Sequence, residues 1–167
     1  MKTKRILTLA VTSAVIFSNS VCASDMYATR GETADMLLIA ADDYNPNVKR
    51  EDIIKGYGGD GELHEDWNIN RAEALVMLSR AFGELPKLTG HNESVALKSG
   101  DFTDIPDWAY AELAPVLDAG IAAGTADGIF SPYDDVTKEQ LELFIKRAYA
   151  LYGTNEKDDF YAAVNKD

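Results

Sequence analysis

The sequence predicts an all-α fold built from repeated units, and three observations predict it. Apolar residues recur at helical spacing, as in Leu75, Leu78 and Phe82. Little of the chain alternates apolar and polar residues with the period of two that strands require. Finally, the stretch at residues 60–82 aligns without gaps on residues 127–149, at an offset of 67. Repetition on this scale is typical of a small array of supersecondary units.

The N-terminal residues 1–23 have the pattern of a secretory signal peptide. Three basic residues precede a short apolar stretch, and Val21 and Ala23 mark a cleavage site before Ser24. The apolar stretch is too short to span a bilayer as a helix. Cleavage would also remove Cys22, the one cysteine of the chain, so neither a disulfide nor a cysteine-ligated metal site is expected.

The charge of the mature chain excludes several classes of partner. Cleavage leaves 13 Lys and Arg against 28 Asp and Glu, a net charge of −15. A chain of this charge is repelled by nucleic acid and by anionic membrane surfaces. We therefore expect no nucleic-acid partner, and no membrane partner once the signal peptide is removed.

A four-residue motif stands ahead of an apolar run at three places. It reads TRGE at residues 29–32, NRAE at residues 70–73 and TKEQ at residues 137–140. The first position is a good helix N-cap, and the fourth is placed to complete a capping box. The pattern predicts three helix starts, each with a reciprocal cap, including one completed by Glu73.

The second position of each motif is basic, and capping does not explain it. Arg30, Arg71 and Lys138 would lie in the first helical turn, where unpaired N–H groups and the helix dipole disfavour a cation. The arrangement makes sense if an external anion contacts both the cation and the N–H groups. The alternative is a solvated basic residue without a ligand.

The repeat register divides the chain into segments. We expect a signal peptide at 1–23, a first unit with only its second helix at 24–47, a shortened second unit at 48–84, a linker at 85–100, a full third unit at 101–153 and a polar tail at 154–167. In the third unit, Pro106 opens a first helix and Gly120 closes it.

The third unit resembles the S-layer homology domain of bacterial surface proteins. The resemblance is carried by spaced residues from Phe102 to Thr137, and by the three motifs, which correspond to the family's Thr-Arg-Ala-Glu. It implies three units around a pseudo-threefold axis, on a secreted protein held at the bacterial cell wall. The implied partner is a secondary cell-wall polysaccharide, including pyruvylated ones, or a peptidoglycan-linked glycan.

The same resemblance implies the ligand-binding residues. These are Arg30, Arg71, Lys138, Asp104 and Trp108, in grooves between units. Lysine lacks the planar fork that suits a carboxylate, so the groove of Lys138 is expected to bind more weakly or not at all. For Trp108, core packing is the alternative to stacking on a sugar ring.

No catalytic residues, metal site or cofactor are predicted, and two other functions stay open. The chain has no HExxH motif, and its acidic loops do not fit a calcium hand. However, DDFYAAVNKD near the C-terminus resembles the opening of neprilysin-like (M13) zinc metallopeptidases. The chain could thus be the anchoring segment of such an enzyme, or a spacer whose units have lost glycan binding. Its oligomeric state is left open.

Overall fold

The computed structural model describes residues 26–56, 59–86 and 99–153, and the fold there is all-α, as predicted. The predicted signal peptide, the predicted polar tail and most of the predicted linker lie outside these residues. The helices are α1 (Arg30–Ala41), α2 (Arg50–Ile53), α3 (Arg71–Phe82), α4 (Asp107–Asp118) and α5 (Lys138–Gly153), with a 3-10 turn at Ser99–Asp101. Over the described ranges, no helix is long and apolar enough to cross a membrane.

The three motifs start α1, α3 and α5, and two of them form complete capping boxes. In α1, Thr29 Oγ1 accepts from the N–H of Glu32, and the Glu32 carboxylate accepts from the N–H of Thr29. Thr137 and Gln140 make the same two bonds in α5. In α3, Asn70 accepts from the N–H of Glu73, but Glu73 does not bond back. The reciprocal cap predicted for Glu73 is therefore wrong.

A closed ring of backbone hydrogen bonds joins the three units at their centre. The N–H of Ala28 donates to the carbonyl of Val136 (2.9 Å), Val136 donates to Ile69 (3.0 Å), and Ile69 donates to Ala28 (2.9 Å). All three residues are buried. They precede the three motifs at equivalent positions of the repeat. The ring therefore relates the units by an approximate threefold rotation, as the resemblance implied.

The units differ most in their first helices. In the third unit α4 runs without interruption through Pro115, and Gly120 follows it with a φ of 71°. In the second unit the first helix is only α2, with four residues. The hydrophobic core is continuous across all units, and α3 packs against α1, α2, α4 and α5. Helix α3 is thus the central element, and its N-terminus lies at a junction between units.

Candidate ligand site

The N–H groups at the start of α3 are already bonded within the protein. Those of residues 71–74 donate to the Asp134 carbonyl, the Pro132 carbonyl, the Asn70 side chain and the Asn70 carbonyl. The N–H groups of residues 30–33 in α1 are satisfied in the same way. The sequence prediction that a ligand anion uses unpaired N–H groups beside the cation is therefore wrong for these two helices. Any ligand contact there falls to side chains.

Arg30 is buried and bonded at every nitrogen of its guanidinium group. Nη1 forms an ion pair with Glu73 Oε2 at 2.9 Å, Nε donates to the Leu63 carbonyl at 2.9 Å, and Nη2 donates to the Lys55 carbonyl at 2.8 Å. The Arg30 side chain is 6% exposed and that of Glu73 is 10% exposed. Arg30 therefore links two units of the protein, and its role in ligand binding stays a prediction.

Lys138 is also engaged, though at the surface. Its Nζ lies 2.9 Å from Glu32 Oε1, in a pair whose side chains are 40% and 47% exposed. The hydrogen bond from Lys138, followed by the one from the Thr29 backbone, lowers the pKa of Glu32. Because solvent screens such a pair, it holds Lys138 only weakly.

Arg71 differs from the other two basic residues. It is half-buried, and its Nη2 donates to the carbonyl of the exposed residue Ala123. Its guanidinium carbon lies 4.9 Å from the ring centroid of Phe130 and 5.2 Å from that of Phe144. Nε is buried and has no hydrogen-bond partner. Among the residues that the structure describes, no carboxylate forms an ion pair with Arg71. The guanidinium group is thus contacted by a carbonyl and by two aromatic rings, and not by a carboxylate of the described residues.

A second arginine reinforces the positive charge. Burial, and then the charge of Arg147, lowers the pKa of Arg71, while Asp134 raises it. Arginine nevertheless stays protonated, because its guanidinium group is too basic to lose the proton within a protein. Arg147 itself donates to the Ile121 carbonyl at 3.1 Å. We define the Arg71 site as Arg71, Arg147, Phe130, Phe144 and the Ala123 carbonyl.

Most of these partners were missed by sequence reasoning. The repeat alignment places Arg147 opposite Arg80, but that match alone gives no role. Phe130 and Phe144 have only the pattern of core residues, and both are indeed buried. Their contact with Arg71 depends on how the second and third units meet.

Asp104 organises a loop of the third unit. Its two carboxylate oxygens accept from the N–H groups of Phe130 and Ser131, each at 2.8 Å. Ser131 has a φ of 58°, a conformation that costs energy for a residue other than glycine. Asp104 therefore holds Phe130 in place beneath Arg71, and its contribution to the Arg71 site is positional.

Trp108 lies in the first turn of α4, and its side chain is largely in solvent. It is 54% exposed, so the core-packing alternative is wrong. An exposed indole face can stack on the apolar face of a sugar ring.

The fold and the site together define a ring of helical repeats whose basic residues lie at the junctions between units. Residues 101–142, which lie in the third unit, match the family model of the S-layer homology domain. The chain is also 33% identical over 106 residues to an endoglucanase of Bacillus sp. (strain KSM-635). That match covers 64% of this chain and 10% of the relative. No solved structure matches.

The match to this family supports a general function. An S-layer homology domain is an anchoring module, so attachment to a bacterial cell wall or surface is supported here. The chain spans about a tenth of the length of the endoglucanase, and the similarity does not carry that protein's activity over to this one. The resemblance to M13 peptidases lies in residues outside the described part of the chain. The comparisons do not confirm it, and it stays a prediction.

Proposed function

We propose that this chain anchors an exported protein to the bacterial cell wall by binding an anionic secondary cell-wall polysaccharide at the Arg71 site. The observation that carries the proposal is the state of Arg71, a half-buried cation beside a second arginine and without a carboxylate partner in the described chain. A carboxylate on the polymer, such as a ketal-linked pyruvate, would supply the missing partner. Arginine suits this role because its planar fork matches a carboxylate.

Because the chain is acidic overall, binding an anionic polymer requires a local basic site. A chain with 28 acidic residues against 16 basic ones repels an anionic polymer at long range. Binding must then come from a local cluster of cations in a partly dehydrated setting, where electrostatic attraction is stronger. The Arg71 site has these properties, because two aromatic rings cover part of the guanidinium.

Two of the other proposed residues take different roles. Trp108 remains a candidate for stacking on a sugar ring, because it is exposed in the same unit as Phe130. Lys138 could bind only after releasing Glu32. The alternative of a non-binding spacer fits the first unit, whose Arg30 is fully used inside the protein.

The proposal is tested by pull-down of residues 24–167 on purified cell-wall sacculi, with and without chemical removal of the secondary polymers. We expect binding that requires the polymer and falls at least tenfold in Arg71→Ala. Arg50→Ala is the matched control, because it also removes one arginine, from pairs with the exposed carboxylates of Asp35 and Glu65. Equal loss in both variants, or no binding by a folded wild-type chain, would refute the proposal and favour the spacer.

The M13 alternative has a separate test. If the chain is the anchoring segment of a metallopeptidase, the coding region beyond Asp167 should contain an HExxH motif, which places two zinc-binding histidines on one helical face. Such a parent would still use the present residues for attachment.

A further inference from the structure

The ion pairs of the three motifs follow the threefold rotation. Arg30 of the first unit pairs with Glu73 of the second unit, and both residues are in the motif, at positions two and four. Lys138 of the third unit pairs with Glu32 of the first unit, again at positions two and four. In both pairs, the cation contacts the fourth motif residue of the next unit around the ring.

By the same rotation, Gln140 is the residue that corresponds to Arg71 at the third junction. Arg71 belongs to the second unit, and the fourth motif residue of the third unit is Gln140. Arg71 does reach α5, because its guanidinium carbon is 5.2 Å from the ring of Phe144. Phe144 follows Gln140 by four residues, so the two side chains share one face of that helix. Gln140 is exposed and neutral, and its amide oxygen accepts from the N–H of Thr137.

We propose that Gln140 is the residue that selects which junction binds a ligand. Where the fourth position is a glutamate, its carboxylate serves as an internal ligand for the neighbouring cation, as Glu73 does for Arg30 and Glu32 for Lys138. Where the fourth residue is Gln140, no internal carboxylate of the described chain pairs with the neighbouring cation. Arg71 is then available to bind an external carboxylate. The module therefore has one binding junction, between the second and third units. This inference rests on the proposed function of the Arg71 site.

The decisive variant is Gln140→Glu, which installs an internal carboxylate at the third junction. Glutamate can keep the capping bond to Thr137, so the fold should be retained. We expect polymer-dependent binding to sacculi to fall at least tenfold, because the new carboxylate competes with the ligand for Arg71. Asn47→Asp is the control, since it adds the same charge on the exposed loop between α1 and α2.

A second measurement separates this inference from the proposed function. In the absence of any polymer, the NMR signal of the Arg71 Nε–H should shift in Gln140→Glu and stay unchanged in Asn47→Asp. A shifted Arg71 signal together with lost binding supports the proposed role of Gln140. If the wild type binds and Gln140→Glu binds equally well, the proposed role of Gln140 is wrong. The proposed function of the Arg71 site is then unaffected. An unshifted signal also overturns the proposed role of Gln140, whatever the sacculi bind.

Discussion

Arg30 and Glu73 are each other's partners across the junction of the first and second units, with Nη1 and Oε2 2.9 Å apart and both side chains almost fully buried. The two residues come from two copies of one motif. One was expected to hold a ligand, and the other to cap its own helix. The pair instead satisfies two charges inside the protein. Glu73 thus makes an ion pair between two units in place of the capping bond that was predicted within its own helix.

Breaking this pair should destabilise the fold strongly. In Glu73→Gln, Arg30 would keep its charge in a buried site without a carboxylate, which typically costs about 3–5 kcal/mol. Urea denaturation followed by circular dichroism measures the change. Glu65→Gln is the control, because it removes a carboxylate from an exposed pair with Arg50 and should cost at most about 1 kcal/mol. Similar losses in the two variants would contradict a structural role for the buried pair.

Removing the Asp104 carboxylate should loosen the loop below Arg71. Asp104→Ala deletes two hydrogen bonds, to the N–H groups of Phe130 and Ser131, and we expect a loss of about 2 kcal/mol or more. Asp104→Asn keeps one acceptor oxygen and should lose less. Thermal denaturation measures both. If Asp104 instead contacted the ligand directly, both variants would lose sacculus binding at unchanged stability.

Gly124 should not tolerate a side chain. A Cβ atom there would lie 2.5 Å from a ring carbon of Phe102 and 2.6 Å from the Ile129 carbonyl, closer than such atoms approach. We expect Gly124→Ala to cost about 1–3 kcal/mol through overpacking. Gly59→Ala is the control, because a Cβ atom at Gly59 meets nothing within 4 Å. A neutral result at Gly124 in denaturation experiments would show that the loop can shift.

The pKa of Glu32 should report its pair with Lys138. The pair lowers this pKa from its ordinary 4.5, so it stabilises the fold above that value, and the stabilisation is lost as pH falls through the lowered pKa. In Lys138→Met the pKa should rise toward 4.5, but not fully, because the bond from Thr29 remains. An NMR titration of the Glu32 carboxyl carbon measures it. No change in Lys138→Met would mean that the pair does not form in solution.

The sequence predicted the helix starts well because their signals are local. Thr29, Asn70 and Thr137 lie next to the N–H groups that they cap, so a four-residue motif contains the whole interaction. The roles of the basic residues were predicted less well, because their partners are distant in the chain. Whether Arg30 faces a ligand depends on Glu73, which reaches it only when two units pack together.

The order of the units around the ring is the information that the sequence lacked. The alignment already contains the difference between Glu73 and Gln140, at the fourth position of two motifs. It does not tell which cation each of them meets. The two observed ion pairs, Arg30 with Glu73 and Lys138 with Glu32, supply that relation.

The ring of backbone bonds closes only when all three units are present. Repeats in an open solenoid contact only their neighbours, so such an array can be shortened from one end and still fold. Here the N–H of Ala28 is satisfied by Val136, far along the chain, and contacts between such distant residues form slowly. A nascent chain that ends before Val136 cannot form the central ring of backbone hydrogen bonds. The protein therefore reaches its native state only after its last unit has been synthesised.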